Sequence, residues 1–302
     1  MRTKKSQISQ SGSYYWYAFP GFGAFFVLVG GSFAYNIYLS FNDWQGIGTP
    51  TWIGLKNYQD LLHDHTFWIS FLHAFEFIFA MSIVPTAIGL LIAALIYDFI
   101  AKHFGNAVST FLRISLYVPQ IIALPVVGIL WSWLLSPNVG AINTILRNIG
   151  LGKLALNWLG QSSTAMFALS IMMIWIQLGY TIVIFISGMS RLDPYLDEAA
   201  QLDGASWFQR FKIITIPQLF PEISVVLLTT TVAALKVFGP VYVMTNGGPG
   251  DATQVPAFFS YFNFFSTLKV GYGASIATVL AALLTIIAIG LLRFQRKMGQ
   301  LR

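Results

Sequence analysis

The segment Arg191-Leu-Asp-Pro-Tyr-Leu-Asp-Glu-Ala-Ala-Gln-Leu-Asp-Gly-Ala-Ser-Trp-Phe-Gln-Arg-Phe-Lys-Ile-Ile-Thr-Ile-Pro217 is polar and closely punctuated, although long apolar segments flank it on both sides. Asp193 is a favourable N-cap, and Pro194 suits the first position of a helix. Gly204 can adopt the left-handed backbone conformation that ends a helix. These residues predict a short helix that begins after Asp193 and stops at Gly204.

A second helix is predicted directly after this turn. Ser206 and Gln209 have the spacing of a capping box, in which each side chain bonds to the backbone N–H of the other residue. Proline disfavours a helical conformation in the residue before it, so this helix is expected to stop by Pro217. The segment 193–217 therefore forms two helices in series, and a polar pair between apolar segments indicates contact with a partner.

The rest of the chain has the composition of a membrane protein. Hydrophobic residues make up 56% of the 302 residues and charged residues 9%, whereas about 25% of the residues in soluble domains are charged. A helix that spans a bilayer needs about 20 apolar residues. Six segments reach this length: 19–41, 71–97, 111–135, 164–188, 220–244 and 271–294. The sequence therefore predicts an all-α, polytopic membrane protein with six transmembrane helices.

Lysine and arginine indicate the orientation, because cytoplasmic connections carry an excess of them. With a cytoplasmic N-terminus, that side receives Arg2, Lys4, Lys5, Lys102, Arg113, Arg191, Arg210, Lys212, Arg293, Arg296, Lys297 and Arg302. The other side receives only Lys56, Arg147, Lys153 and Lys269. We therefore expect both termini and the segment 193–217 to be cytoplasmic. The net charge of +6 follows from this bias, so the sequence indicates no nucleic-acid partner.

The sequence contains no motif for catalysis, nucleotide binding or metal binding. The phosphate-binding pattern G-x-x-x-x-G-K-[ST] is absent, and Gly150-Leu-Gly-Lys153 lacks its spacing. The four histidines do not have metal-ligand spacing. Cysteine is absent, which excludes thiolate and disulfide chemistry. We therefore predict that the chain is not an enzyme and holds neither a metal nor a cofactor.

The helix pair resembles the pattern E-A-A-x₃-G-x₉-I-x-L-P of the inner-membrane permease subunits of bacterial ABC importers. The matching residues are Glu198, Ala199, Ala200, Gly204, Ile214 and Pro217, with Ile216 in place of leucine. The resemblance implies that this loop docks into a cleft on a cytoplasmic ATPase and transmits closure of the ATPase dimer to the spans.

Further segments resemble the carbohydrate-uptake class of these permeases, of the maltose type. These are Ser40-Phe-Asn-Asp-Trp44, Trp52-Ile-Gly-Leu-Lys-Asn-Tyr58 and the string from Val241 to Thr253. The string contains the turn-forming run Asn246, Gly247, Gly248, Pro249 and Gly250, which predicts an ordered non-helical loop. The resemblance places this loop at the outer face, near a solute-binding protein. A plain connection between spans is the alternative interpretation.

The resemblance also implies the rest of the assembly. The expected partners are a second homologous permease, two copies of an ATPase that binds ATP and magnesium, an extracytoplasmic solute-binding protein and the lipid bilayer. The expected location is the inner membrane of a bacterium or the plasma membrane of an archaeon. Within the chain we expect cytoplasmic tails at 1–18 and 295–302 around a permease domain at 19–294, with a core at 71–294 and coupling helices at 193–217.

Polar groups within the spans are the remaining site candidates, because ionisable groups in hydrocarbon are costly. Glu76 and Lys236 lie at similar depth in the second and fifth predicted spans. Their opposite charges make them a candidate ion pair, while snorkelling of Lys236 towards the surface is the alternative.

The solute path is predicted to lie between the third, fourth and fifth spans. Gln177 and Tyr180 are three residues apart and so share a helix face, and Trp131 and Thr230 lie on the neighbouring spans. Amide groups and aromatic rings suit the hydroxyls and apolar faces of sugars. Hydrogen bonding between helices and an interfacial aromatic belt are the alternatives.

Two other functions compete with a sugar importer driven by ATP. A secondary transporter that uses an ion gradient would have internal repeats and several buried carboxylates at mid-membrane, and neither is found in the sequence. The second is an ABC importer of a non-sugar solute, such as a polyol phosphate. The sequence contains no feature that distinguishes such an importer from a sugar importer.

Overall fold

The computed structural model describes residues 13–299, and the side chains of 17–295 within them. Parts of the predicted tails, residues 1–12 and 300–302, lie outside this range. The described chain is almost entirely helical, with one small antiparallel hairpin of strands β1 (Asn42–Asp43) and β2 (Thr51–Trp52). Four helices are long and apolar enough to cross a membrane, or five if a bent helix pair counts as one span. The all-α polytopic class is thereby confirmed.

The first half of the described chain contains eight α-helices. They are α1 (Ser13–Phe25), α2 (Gly31–Ser40), α3 (Lys56–His63), α4 (His65–Ile78), α5 (Val84–Leu95), α6 (Ala101–Ile121), α7 (Leu124–Leu134) and α8 (Ala141–Asn148). Three π-helical segments, Phe26–Gly30, Phe79–Ile83 and Ile96–Ile100, join successive helices without a loop.

The second half of the described chain contains eight more α-helices. They are α9 (Ser162–Met189), α10 (Pro194–Leu202), α11 (Trp207–Arg210), α12 (Ile216–Gln218), α13 (Phe220–Leu235), α14 (Gly239–Met244), α15 (Pro256–Phe265) and α16 (Val270–Gly299). A 3₁₀ turn, Gly152–Leu154, precedes α9, and a π-helical segment, Phe211–Thr215, joins α11 to α12.

Three predicted spans agree closely with candidate spans of the structure. The predicted segment 19–41 corresponds to Tyr17–Ser40, 164–188 to Ser162–Met189 and 271–294 to Val270–Gln295. The predicted span 71–97 lies inside a longer candidate, His65–Ile121, whose backbone leaves the helical conformation at Gly105. Uninterrupted apolar runs therefore locate the first three of these elements to within a few residues.

The predicted spans 111–135 and 220–244 are not single helices. The first breaks at residues 122–123, where the backbone is extended, and Pro125 lies in the first turn of α7. The second breaks at residues 236–238, and Pro240 lies in the first turn of α14. Proline has no N–H to donate to a preceding turn, so a new helix begins where each proline stands.

Helix α9 is the centre of the bundle, with α5 packed on one side and α6 on another. A Cβ at Gly89 of α5 would overlap Thr181, and one at Gly179 would overlap the carbonyl oxygen of Leu116 on α6. The Thr181 hydroxyl also donates to the Pro85 carbonyl at 3.0 Å. Close backbone approach at small residues is typical of helices that pack within a membrane.

Two hydrophobic clusters divide this bundle along its length. One includes Phe77, Met172 and Phe258, and the other includes Phe185 and Leu219. The second lies beside residues 193–218, and we call that part of the molecule the helix-pair end. The opposite part carries residues 245–254, and we call it the loop end.

Candidate functional site

The helix pair has the local structure that the sequence predicts at its first helix and turn. Helix α10 begins after Asp193, whose Oδ1 accepts a hydrogen bond from the Tyr195 N–H at 3.0 Å. Gly204 has a φ of +78°, in the left-handed region. No neighbouring atom lies within 4 Å of the Cβ that a side chain would place there. The glycine is therefore required by its backbone conformation and not by crowding.

The second helix begins as predicted and ends later than predicted. The Gln209 side chain accepts from the Ser206 N–H at 2.7 Å, which completes a capping box before α11. The helical segment Trp207–Gln218 then passes Pro217, where a stop was expected. The π-helical segment just before Pro217 explains the difference. Where the hydrogen-bond pattern changes from π to α, one backbone carbonyl is left without a partner. A proline at this point removes an N–H that the helix does not use, so its cost is small. The chain bends by 69° only between α12 and α13.

An ion pair holds the two short helices together. The Arg210 Nε donates to Asp197 Oδ1 at 2.8 Å, and Arg210 Nη1 donates to the Ala205 carbonyl in the turn at 2.8 Å. Gln201 donates to the other oxygen of Asp197 at 2.7 Å. These bonds cross the turn at Gly204 and fix the angle between α10 and α11.

A second set of contacts attaches the helix pair to the membrane bundle. The Trp207 Nε1 donates to Asp98 Oδ2 at 2.9 Å, across 109 residues of sequence. The indole also stacks on Phe211 with ring centres 5.2 Å apart and lies 5.7 Å from the Phe99 ring. Asp98 belongs to the π-helical segment Ile96–Ile100 that follows α5. These contacts join α11 to the segment that follows α5, the helix that packs on α9.

A polar cavity lies between this attachment and α10. Its volume is about 410 Å³, and its lining includes Asp98, Lys102, Glu198 and Ile214. Asp98 was not among the predicted site residues, and its signal was a lone carboxylate at the end of an apolar run. The structure therefore brings Glu198 and Ile214 of the predicted loop together and adds Asp98 and Trp207 to the set.

The exposed surface of the helix pair includes large apolar side chains. Tyr195, Leu202, Phe208 and Ile213 are between 64% and 89% exposed. Glu198, Ala199, Gly204 and Pro217 of the predicted loop are also exposed, and Ala200 is half-buried. Large apolar side chains beside a polar rim are typical of a protein-binding surface.

A further ion pair joins the neighbouring spans at this end. The Arg191 Nη2 donates to Glu222 Oε1 at 2.5 Å, which links the residues after α9 to the first turn of α13. A Cβ at Gly188 would overlap the Leu219 side chain, so the two helices are also in close contact here. The end of α9 and the start of α13 are therefore in direct contact beside the helix pair.

A second cavity, of about 370 Å³, contains part of the predicted solute path. Its lining includes Gln177, Gln120, Lys236 and Phe238. Gln177 is 7% exposed, and its amide has no hydrogen-bond partner among the described residues. The Oε1 of Gln120 is likewise buried without a partner in the described chain. Buried amides normally have partners, and these two lack one within the described chain. Gln120 is one of the deep polar groups that the sequence offers within the spans, whereas Phe238 was not among the predicted path residues.

The other predicted path residues lie elsewhere. Tyr180 bonds through its hydroxyl to Thr229 Oγ1 at 3.1 Å. Thr230 is fully buried, and its Oγ1 donates to Ser82 Oγ at 2.8 Å. Trp131 packs on Trp175 with ring centres 5.8 Å apart. Tyr180 and Thr230 therefore form hydrogen bonds between helices, which was the alternative interpretation of these residues. Tyr180 does so because its face of α9 turns towards α13.

Glu76 and Lys236 do not meet. Lys236 lines the cavity of Gln177, whereas Glu76 lines a separate groove of about 940 Å³ with His73 and Ser162. The ion pairs within residues 17–295 are Arg191–Glu222 and Arg210–Asp197. The predicted pair is absent because equal depth in two helices does not give facing sides.

The loop end has an ordered, non-helical structure, as the turn residues predict. Asn246 and Gly247 have φ values of +50° and +82°. The Thr253 Oγ1 donates to the Gly248 carbonyl at 2.9 Å, and Ser162 Oγ donates to the Pro249 carbonyl at 3.4 Å. Across to α4, Thr66 donates to Asp251 at 2.8 Å. The loop is thereby fixed to the bundle at the start of both α4 and α9.

The described chain is a bundle of apolar helices that encloses polar cavities and carries a polar helix pair at one end. A family model described as the binding-protein-dependent transport system inner membrane component matches residues 99–299. This chain belongs to that family. It is therefore a permease subunit of an ABC importer, multi-pass in the bacterial or archaeal inner membrane, and is not itself catalytic.

Individual relatives extend the similarity beyond the matched family region. The probable ABC transporter permease YurN of Bacillus subtilis is 34% identical over 81% of this chain and 82% of its own length. The probable starch degradation products transport permease AmyD of Thermoanaerobacterium thermosulfurigenes is 30% identical over 95% of both chains. The trehalose/maltose transport permease MalF of Thermococcus litoralis is 32% identical over 81% of both.

A solved structure has the same fold. It is the crystal structure of a bacterial ABC transporter involved in the import of the acidic polysaccharide alginate, with a TM-score of 0.81 at 20% identity. The match covers 94% of this chain and 95% of that chain. A second structure, of the bacterial alginate transporter with a periplasmic protein that holds an alginate pentasaccharide, gives a TM-score of 0.80 over 95% of this chain.

Proposed function

We propose that this permease imports a sugar or oligosaccharide that an extracytoplasmic solute-binding protein delivers. The observation that carries the proposal is the substrate class named for its relatives. AmyD is named for starch degradation products, MalF for trehalose and maltose, and the GlcT permease of Saccharolobus solfataricus for glucose. All three match more than four-fifths of this chain, so the shared region includes the spans and not the helix pair alone.

The cavity of Gln177 supports this substrate class. A side-chain amide both donates and accepts hydrogen bonds, and sugar hydroxyls require both. Gln177 and Gln120 present two such groups without other partners in the described chain, while Phe238 presents a ring. We place the solute path beside Gln177, with Trp131, Tyr180 and Thr230 in the helices around it.

We further propose six spans with both termini in the cytoplasm. At about 1.5 Å per residue the 57 residues of His65–Ile121 would measure about 85 Å, almost three times the hydrocarbon thickness. Gly105, with a φ of +81°, offers the reversal point between a second and a third span. The bent helix pair Trp207–Gln218 and Phe220–Leu235 and the three remaining candidate spans bring the total to six. The distribution of lysine and arginine supports the orientation.

We propose that the helix pair 193–217 docks on the ATPase at the cytoplasmic face. The exposed apolar side chains of Tyr195, Leu202 and Phe208 provide the contact surface. The ion pair at Arg210 keeps the two helices at one angle, and the Asp98–Trp207 hydrogen bond conveys their movement to the bundle. Glu198, Ala199, Ala200, Gly204, Ile214 and Pro217 form the coupling loop. ATP and magnesium belong to two ATPase copies, and a second homologous permease completes the membrane part.

At the opposite face, Asn246, Gly247, Gly248 and Pro249 are proposed to meet the solute-binding protein. The loop is stiff because hydrogen bonds fix it to both α4 and α9. A stiff outer loop suits this role, because pressure from a docked protein then reaches the spans without being absorbed by local bending.

The substrate proposal is tested with the purified transporter in proteoliposomes. We expect its binding protein to retain a saccharide that mass spectrometry identifies, and uptake of that labelled saccharide to require ATP inside the vesicle. Uptake should persist when ionophores collapse ion gradients. A binding protein that retains a polyol phosphate, or uptake driven by an ion gradient without ATP, would contradict the proposal.

A further inference from the structure

A groove of about 490 Å³ runs between α6 and α9 on the helix-pair half of the molecule. Its polar lining includes Thr110, Arg113, Ser187 and Ser190. Gly179 lies against the carbonyl of Leu116, which fixes the register of the two antiparallel helices. The four polar lining residues all lie on the side of this contact that is nearer the helix-pair end. That end of the groove is therefore polar and basic.

Arg113 is the unusual member of this lining. Its Nε is buried, and the guanidinium has neither a hydrogen bond nor an ion pair with any side chain or backbone group that the structure describes. The neighbouring cation Arg191 is paired with Glu222 and also donates to Ser187 Oγ at 3.3 Å. The Arg113 side chain as a whole is only half-buried, so its guanidinium is open to an anion that enters the groove.

The rest of the groove is apolar and continues along α6 away from the helix-pair end. Ile114, Val118 and Ile121 line it, and their side chains are 60%, 45% and 72% exposed. These residues are spaced by three and four, so they form one stripe on the helix. A cation at one end of an apolar stripe matches the shape and charge of a phospholipid.

We propose that this groove binds one anionic phospholipid of the cytoplasmic leaflet, an assignment that rests on the orientation proposed above. The phosphate contacts the Arg113 guanidinium and the Ser187 hydroxyl, and an acyl chain lies along Ile114, Val118 and Ile121. Basic pockets between helices on the cytoplasmic side are where anionic headgroups bind. Such a lipid places an anion beside Arg113 and covers the apolar stripe at the same time.

The test measures lipid retention by the whole transporter complex. The complex is delipidated, placed in phosphatidylcholine nanodiscs with increasing phosphatidylglycerol, and analysed by native mass spectrometry. We expect one saturable phosphatidylglycerol site, whose affinity falls roughly fivefold in Arg113→Gln, the factor expected for one basic residue at an anionic surface. Lys102→Gln is the control, because Lys102 is exposed at the start of α6 and lines a different cavity.

A second variant tests the apolar part of the groove. Val118→Trp fills the acyl stripe with an indole and leaves Arg113 in place, so it should also weaken phosphatidylglycerol retention. If Arg113→Gln reduces folding, the phosphatidylglycerol retention of Val118→Trp decides the test instead.

Three outcomes would overturn the assignment. One is an equal, small loss in Arg113→Gln and Lys102→Gln. Another is displacement of the lipid by inorganic phosphate alone, which would indicate a free anion. The third is separation of the permease subunits by Arg113→Gln with lipid retention unchanged, which would mean that the partner permease covers the groove. If the lipid result holds while the binding protein proves to carry no saccharide, only the substrate proposal fails.

Discussion

Replacing Trp207 with phenylalanine removes the hydrogen bond that attaches the helix pair to the bundle. The phenyl ring retains the stacking on Phe211, in which the two ring planes lie within 8° of each other. The exposed surface of α10 is unchanged. Trp207→Phe therefore separates attachment to the spans from docking on the ATPase.

The magnitude follows from the chemistry of the acceptor. The Trp207 N–H donates to the Asp98 carboxylate at 2.9 Å in a partly buried site. A hydrogen bond to a charged group contributes about 1.5–3 kcal/mol, and partial exposure places this one near the lower limit. The attached state should therefore lose about a factor of ten in population relative to the detached state.

The assay compares uptake with ATP hydrolysis in proteoliposomes that contain the whole transporter. We expect Trp207→Phe to lower the amount of solute imported per ATP several-fold, because closure of the ATPase is transmitted less completely. The ATPase should still co-purify with the permease. Asp98→Asn retains a weaker acceptor and should give a smaller loss in the same direction.

A matched substitution and a double mutant decide whether the bond itself matters. Trp158→Phe removes a similar indole bond, to Asn143 at 2.8 Å, but at the loop end, and should leave the ratio of import to hydrolysis unchanged. The double variant at Trp207 and Asp98 should be no worse than Trp207→Phe alone. Losses that simply add, or a Trp158 variant that uncouples to the same degree, would refute the argument.

Four further predictions concern the coupling loop, the cavity and the spans. Gly204→Val should lower transport and ATPase retention, because a side chain in the left-handed region costs about 1–2 kcal/mol. Gly204→Asn should be tolerated, since asparagine adopts that region more readily. Equal activity of both variants in the uptake assay would exclude a role for the turn. Gln177→Ala should raise the solute concentration for half-maximal uptake about two- to tenfold, the value of one neutral hydrogen bond, with ATP hydrolysis retained. Thr230→Val should instead lower the melting temperature without changing that concentration, and the reverse pattern would mean that Thr230 touches solute. Substitutions of Glu76 and Lys236 should have additive effects on the melting temperature, since the two residues are not in contact, and a double variant more stable than either single variant would show that they interact.

Local rules were sufficient for several features of this protein. Composition and the length of apolar runs indicate the membrane class. The Asp193 cap, the turn at Gly204 and the Ser206 capping box each depend on groups within a few residues of one another, and the structure contains all three. The E-A-A pattern identified the family for the same reason, since its residues lie on one continuous segment.

Side-chain pairing across the bundle depended on tertiary structure. Equal depth suggested a Glu76–Lys236 pair, but depth does not specify which face of a helix points to which neighbour. The Asp98–Trp207 bond and the unpartnered amide of Gln177 follow only from how α5, α9 and α13 pack. Pro217 shows the same limit within one helix, because the π-helical segment before it removes the conflict that a local rule predicts. Sequence patterns report interactions along the chain, whereas these contacts join residues that only the fold brings together.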